Sequence, residues 1–91
     1  MKRAIVTVVG DDRVGIIAAV SARLSQYNIN ILDITQTIMK EEVFVMLALV
    51  DIAGANVPFH EVREGLSELG QSMGLSIRIQ REDIFNSMHK V

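Results

Sequence analysis

The segment VVGDDRVGII, residues 8–17, contains the change of pattern on which the predicted fold depends. An apolar run ends at Val9, three charged residues from Asp11 to Arg13 follow, and a second apolar run begins after Gly15. A short β-branched run that stops at charged residues and a glycine predicts a strand that turns into a helix. The same turn is also a place where a binding site can form.

The chain on both sides of this turn divides into four predicted strands and two predicted helices. Strands are expected over residues 3–9, 29–39, 43–52 and 75–81, and helices over residues 14–27 and 59–73. In the second strand, Leu32, Ile34 and Ile38 alternate with polar residues, which is typical of a half-buried strand. Gly74 stands where the C-cap of the second helix belongs.

The order β-α-β-β-α-β predicts an α+β, ferredoxin-like fold. Its four-stranded antiparallel sheet carries two helices on one face, and a short helical tail follows. Right-handed crossovers place the first and third strands at the centre, and both of these strands are apolar on both sides. We expect a single domain over residues 1–91, with a core over 3–82 and a C-terminal tail over 83–91.

Two helices cover only one face of such a sheet, so the other face would expose at least five large apolar side chains. A contiguous patch of this kind usually marks an interface. We therefore predict a homodimer that uses this face, an edge strand, or both. The alternative is that the tail folds back over the open face through Ile84, Phe85 and Met88.

The composition excludes several function classes. A net charge of −2 provides no electrostatic footprint for nucleic acid, and no apolar run is long enough to span a membrane. There is no cysteine, which fits a reducing compartment, so we expect a cytoplasmic protein. His60 and His89 have no partners at metal-ligand or catalytic spacing, and Tyr27 is expected to pack. We therefore predict no metal, no cofactor, no catalytic residues and no enzymatic activity.

The turn itself has two interpretations. In the first, Asp11 or Asp12 caps the first helix and Arg13 is solvated. In the second, the N–H groups at the helix start hold a carboxylate and an aspartate holds an ammonium group, which suits a zwitterion. Gly15 favours the second, because a glycine in a first helical turn often permits close approach of a ligand or another backbone. If dimers pair along the sheet edge, Asn30 of one subunit would approach the first loop of the other.

The segment VVGDDRVGIIAAVSARLSQYNINILDITQ, residues 8–36, resembles the first half of an ACT domain, a small-molecule-sensing module of amino-acid-metabolic enzymes and regulators. The resemblance covers residues 3–82. As a single ACT domain, the chain is also similar to each of the two such domains that glycine-cleavage-type repressors carry. The resemblance implies an amino-acid site at an interface between two domains. The implied ligand-binding residues are those of the first loop and the start of the second strand: Asp11, Asp12, Arg13, Val14, Gly15, Ile16, Asn28, Asn30 and Ile31.

Three functions follow as hypotheses. The first is a non-catalytic regulatory module that binds a small metabolite, of amino-acid type by resemblance, at a homodimer interface. The second is a ligand-free interaction protein that docks on a partner enzyme or regulator. The third is an acylphosphatase-like hydrolase, because Arg13 lies in the first loop, although the two adjacent aspartates would repel a phosphate.

Overall fold

The segments of alternating and helical periodicity form the expected elements in the computed structural model, which describes residues 2–84. The bounds are β1 Arg3–Asp11, α1 Ile16–Gln26, β2 Asn30–Met39, β3 Val43–Asp51, α2 Phe59–Met73 and β4 Leu75–Arg81. A 3₁₀ turn, Lys40–Glu42, joins β2 to β3, and residues 82–84 form a short helical turn after β4. Gly74 caps α2 in the left-handed conformation, with φ of 69°.

The four strands form one antiparallel sheet in the order β2-β3-β1-β4, so the ferredoxin-like prediction is confirmed. Val6 of β1 lies opposite Ala48 of β3 on one side and Ile79 of β4 on the other. The two strands that are apolar on both sides therefore occupy the centre, as the crossover rule requires. The edges of the sheet are β2 and β4.

The core lies between the helices and one face of the sheet. Its members are apolar and buried: Ala4, Val6, Val8, Ile16, Val20, Leu24, Ile29, Phe44, Met46, Ala48, Val50, Val62, Leu66, Leu75, Ile77 and Ile79. The helices approach each other closely at Gly65, where an added Cβ would lie 1.8 Å from the hydroxyl oxygen of Tyr27. Arg23 donates from Nη1 to the Gly65 carbonyl at 2.7 Å, so Gly65 is the point at which α1 meets α2.

The opposite face of the sheet is apolar at its centre and polar at its edges. Ile5 lies opposite Leu49 of β3, and these two residues are flanked by Asp33 of β2 and Gln80 of β4. In another row Leu47, which is 40% exposed, lies opposite Thr7. None of the large apolar side chains of β1 and β3 on this face is buried by the described residues.

The alternative prediction was that the C-terminal tail, residues 83–91, covers the open face of the sheet. Ile84 is 41% exposed and lines a groove along β4. Phe85, Met88 and His89 lie outside the described residues.

The predicted alternation of β2 side chains between the two faces of the sheet is wrong at the start of the strand. The pairing of β2 with β3 shifts between Ile31, opposite Val50, and Asp33, opposite Leu49. Leu32 is the extra residue of this β-bulge and is 38% exposed, whereas Ile31 and Ile34 pack against the core. A bulge inserts one residue and reverses the alternation, so the predicted face of Leu32, Ile34 and Ile38 loses Leu32 and gains Ile31.

Candidate functional site

The first loop connects the end of β1 to the start of α1. β1 continues to Asp11 because that residue still pairs with Val43 of β3. The next residue, Asp12, donates its backbone N–H to the Glu42 carbonyl at 2.8 Å, which fastens the loop to the 3₁₀ turn. Asp11 and Asp12 therefore have different surroundings, and only Asp12 lines the pocket described below.

Gly15 is the N-cap of α1 and has φ of 92° and ψ of 4°. Residues with a side chain rarely adopt this left-handed conformation. An added Cβ would have no atom within 4 Å, so the backbone conformation and not close approach within the chain accounts for this glycine. The capping interpretation is wrong, because the N-cap is Gly15 and no side chain within residues 2–84 accepts a hydrogen bond from the helix start.

Arg13 is exposed, as the first interpretation expected, but it also makes a contact that the sequence did not predict. Its Nη1 donates to the carbonyl oxygen of Met73 at 3.1 Å. Met73 is the last residue of α2, where unpaired carbonyls and the helix dipole attract a cation. Arg13 thus connects the first loop to the C-terminus of the other helix.

A pocket of about 380 Å3 lies between this loop, the start of α1 and the end of β2. Small-molecule sites commonly have volumes of a few hundred Å3. Its lining residues are Asp12, Arg13, Gly15, Ile16, Ile17, Ala18, Gln36, Ile38 and Phe44. Four predicted site residues, Asp12, Arg13, Gly15 and Ile16, are thereby brought together. Val14 is fully exposed at the tip of the loop.

Five lining residues were not predicted: Ile17 and Ala18, which continue the first turn of α1, and Gln36, Ile38 and Phe44 from the sheet. Gln36 lies opposite Met46 and Ile38 lies opposite Phe44, so both side chains are on the helix-bearing face of β2. The available signal was that Gln36 interrupts the even-numbered apolar series from Ile34 to Ile38. A polar amide on an otherwise apolar face is a candidate ligand contact because it has both donor and acceptor atoms.

The first turn of α1 supplies donors to this pocket. The first amide at this helix start that bonds a carbonyl is that of Ala19, which donates to Gly15 at 2.9 Å. Within residues 2–84, no loop carbonyl or side chain accepts a short, well-aligned hydrogen bond from Ile16, Ile17 or Ala18, although a hydrogen-bonded turn spans Val14 and Gly15. Free N–H groups at a helix start favour an anion. With the Asp12 carboxylate on the same wall, the pocket offers donors for a carboxylate and an acceptor for an ammonium group.

The other predicted site residues lie at the opposite end of the sheet. Asn30 pairs with Asp51, which in turn pairs with Arg3 at the start of β1. At about 3.3 Å per residue, the length of β1 separates this end from the first loop by roughly 26 Å. Within one chain the structure therefore does not bring Asn28, Asn30 and Ile31 to the first loop.

The β2 start has its own local structure. Asn28 has φ of 58°, and its Nδ2 donates to the Gly54 carbonyl at 2.9 Å. A separate depression of about 220 Å3 is lined by Ser25, Asn28, Ile29 and Asn30. Asn28 therefore holds the turn after α1 against the loop between β3 and α2.

Among the described residues, the most exposed large apolar side chains occur at the end of the sheet that carries the pocket. Val14 is 100% exposed, Ile38 60% and Met39 57%. Ile38 lines the pocket, and Met39 ends the edge strand β2. Unpaired strand edges with exposed apolar residues are sites of association with another chain.

Within residues 2–84, no group of three or more histidine, cysteine, aspartate or glutamate side chains is arranged to hold a metal ion. None of the helices in the described part of the chain is long and apolar enough to cross a membrane.

Comparison with known proteins places these features in context. A family model described as the ACT domain matches residues 2–80. A UPF0237 protein of Clostridium acetobutylicum is 53% identical over 89 residues, covering 98% of this chain and 99% of the relative. The solved structure of an ACT domain protein from Streptococcus pneumoniae has a TM-score of 0.80 and 38% identity, and the match covers 92% of this chain and 93% of that one.

A second similar solved structure belongs to a protein that is longer than this chain. It is a putative glycine cleavage system transcriptional repressor, with a TM-score of 0.72 and 29% identity. The match covers 88% of this chain and 45% of the repressor. The fold thus occurs in that protein as part of a larger chain.

Proposed function

Since the chain belongs to the ACT domain family, we propose that it is a homodimeric, non-catalytic regulatory module that binds a small zwitterion of amino-acid type between two subunits. ACT domains are regulatory ligand-binding modules. The amino-acid class of the ligand, the homodimer, residues 3–82 as the domain core and a cytoplasmic location are parts of this proposal.

The observation that carries the proposal is the unsatisfied first turn of α1 beside Asp12. The N–H groups of Ile16, Ile17 and Ala18 make no short, well-aligned hydrogen bond in the described chain, and all three residues line the pocket. An α-carboxylate would accept from these donors, while an α-ammonium group would pair with the Asp12 carboxylate. Gln36 and Ile38 would then face the remainder of the ligand.

In the proposed homodimer, the second subunit would supply one wall of the pocket. β2 is an edge strand of ten residues, and two antiparallel copies of one strand pair about a twofold axis. Such pairing places the start of one β2 beside the end of the other. Asn30 of the partner subunit would then lie next to Ile38 and the first loop. This arrangement unites two groups of predicted residues that a single chain keeps at opposite ends of the sheet.

Regulation would follow from linkage. A ligand that contacts both subunits stabilises the dimer by its difference in affinity for the paired and unpaired states. The signal would be the change in dimer population or in dimer arrangement.

A pair of glycine substitutions tests the site. Gly15 and Gly74 both have positive φ and space for a Cβ, but only Gly15 lines the pocket. Asparagine tolerates the left-handed conformation, so Gly15→Asn and Gly74→Asn should both fold. Each protein is heated with each of the twenty amino acids at millimolar concentration. We expect a ligand-dependent rise in Tm for the natural chain and for Gly74→Asn, and none for Gly15→Asn.

Two other results would favour the alternative functions, the ligand-free interaction protein and the hydrolase. An absence of any Tm shift with all twenty amino acids would contradict the proposal and support the ligand-free interaction protein. Hydrolysis of acetyl phosphate above the buffer rate would support the hydrolase. The hydrogen bond from Arg13 to the Met73 carbonyl weighs against hydrolysis, because it engages the one arginine of the first loop.

A further inference from the structure

The second edge of the sheet carries a larger groove, away from the candidate pocket. Its volume is about 510 Å3, and it lies between the outer side of β4, the last strand of the sheet among residues 2–84, and the outer side of α2. All seven residues of β4, from Leu75 to Arg81, line it. Since successive side chains of a strand point to opposite faces, this continuous contribution identifies the backbone edge of the strand as one wall.

Helix α2 forms the other wall. The helix residues that line the groove are Phe59, Arg63, Ser67 and Gln71, at intervals of four residues. This spacing follows one side of a helix, so the wall runs parallel to β4 over its whole length. A cleft between a free strand edge and a helix accommodates an extended peptide that adds to the sheet.

The groove is positively charged. Among residues 2–84, the ionisable residues that line it are Arg63, Arg78 and Arg81. In the described chain, none of these three takes part in an ion pair or a side-chain hydrogen bond. The guanidinium carbons of Arg63 and Arg81 lie 5.1 and 5.9 Å from the centre of the Phe59 ring. Two cations from different elements therefore approach the same aromatic ring and retain their hydrogen-bond donors.

We propose that this groove binds an extended acidic segment of a partner protein, which pairs with the backbone of β4 and places carboxylates beside the three arginines. Side chains of an added strand alternate between the two faces of the sheet. On the helix side they would meet Phe59, Arg63 and Arg81. On the other side they would meet Arg78, which lies in the same row as Thr7 of β1.

The charge of the groove favours an acidic partner over a second copy of this chain. Arg78 is the central residue of β4, so twofold antiparallel pairing of two β4 strands would place like charges next to each other. Cross-strand pairs of like charge are destabilising. A small anion would engage the arginines but would leave the β4 backbone unpaired.

The probe is a capped, fluorescein-labelled nonapeptide of alternating glutamate and valine. Anisotropy measures its binding to the natural chain, and amide chemical shifts locate it. We expect saturable binding that weakens with added salt and shifts confined to β4 and α2. A peptide with lysine in place of glutamate should not bind. A fully N-methylated glutamate peptide keeps its charges but lacks backbone donors, and it should bind at least about tenfold more weakly.

Charge reversal tests the arginines. In the double variant Arg63→Glu/Arg81→Glu, the affinity for the glutamate peptide should fall by about tenfold or more. Lys40→Glu makes the same charge change per residue in the 3₁₀ turn, outside the groove, and should alter affinity by less than about twofold. Should the double variant fail to fold, Arg78→Glu provides the same comparison, because Arg78 is exposed and lies outside the core.

Several results would overturn the proposal. They are equal binding of the lysine and glutamate peptides, an equal loss of affinity in Lys40→Glu, and shifts that do not involve β4. Inorganic phosphate that reproduces all the shifts of the peptide would indicate an anion site only. A dimer that Arg78→Glu dissociates would assign the edge to a second copy. None of these results depends on the amino-acid site.

Discussion

The Nη1 atom of Arg13 donates to the carbonyl oxygen of Met73 at 3.1 Å, so the loop before α1 is fastened to the end of α2. The two residues are 60 positions apart in the chain. The contact holds one wall of the candidate pocket in place, because Arg13 and its neighbour Asp12 both line it.

Replacement of Arg13 by alanine should lower the free energy of unfolding by about 1 kcal/mol. The loss combines one partly solvated hydrogen bond with the attraction between a cation and a helix C-terminus. Urea denaturation measures it. Arg78→Ala is the matched control, since Arg78 is an exposed arginine that makes no ion pair or side-chain hydrogen bond within residues 2–84, and it should change stability by less than about 0.5 kcal/mol. Equal losses would show that the Met73 contact contributes nothing.

The packing of Tyr27 against Gly65 predicts a strongly coupled pair of substitutions. Gly65→Ala would place a Cβ 1.8 Å from the tyrosine hydroxyl oxygen. We expect it to lower the free energy of unfolding by about 1–3 kcal/mol, even though alanine is the better helix former. In a Tyr27→Ala background the same change should cost far less. Chemical denaturation of the four proteins gives the coupling, and additive effects would contradict the packing role of Gly65.

Substitutions on the two unpaired surfaces of the sheet distinguish the dimer geometries. If β2 edges pair, Ile38→Glu should raise the Kd for dimerisation by more than about tenfold, because it places a charge in the interface. Leu47→Glu makes the same type of change on the open face and should leave the dimer intact. Sedimentation velocity at micromolar concentration measures both. The reverse pattern would assign the dimer to the open face.

Two substitutions at Asn28 separate its backbone conformation from its side-chain bond. Asn28→Gly keeps the left-handed conformation and loses the bond to the Gly54 carbonyl, so it should cost about 1 kcal/mol. Asn28→Ala loses both and should cost about 2–3 kcal/mol. Thermal or urea unfolding gives these values. Equal effects would mean that φ at this position carries no strain.

The amino-acid sequence alone was enough for the fold and for the sheet order. Apolar periodicity indicated β1 through β4. Right-handed crossovers place the first and third strands at the centre, and these are the two strands that are apolar on both faces. Gly74 indicated the end of α2 for a local reason, since its left-handed conformation is needed there. The resemblance located the first loop, where four of the implied residues do line one pocket.

Only the tertiary structure decided the features that depend on distant partners. The bulge at Leu32 follows from the pairing of β2 with β3, and it brings Ile31 to the helix-bearing face. The role of Arg13 depends on a helix that ends 60 residues later, and the groove along β4 depends on which strand is left at the edge. Local periodicity reports which side chains face the core, whereas register and contacts between distant segments are set by packing of the whole chain.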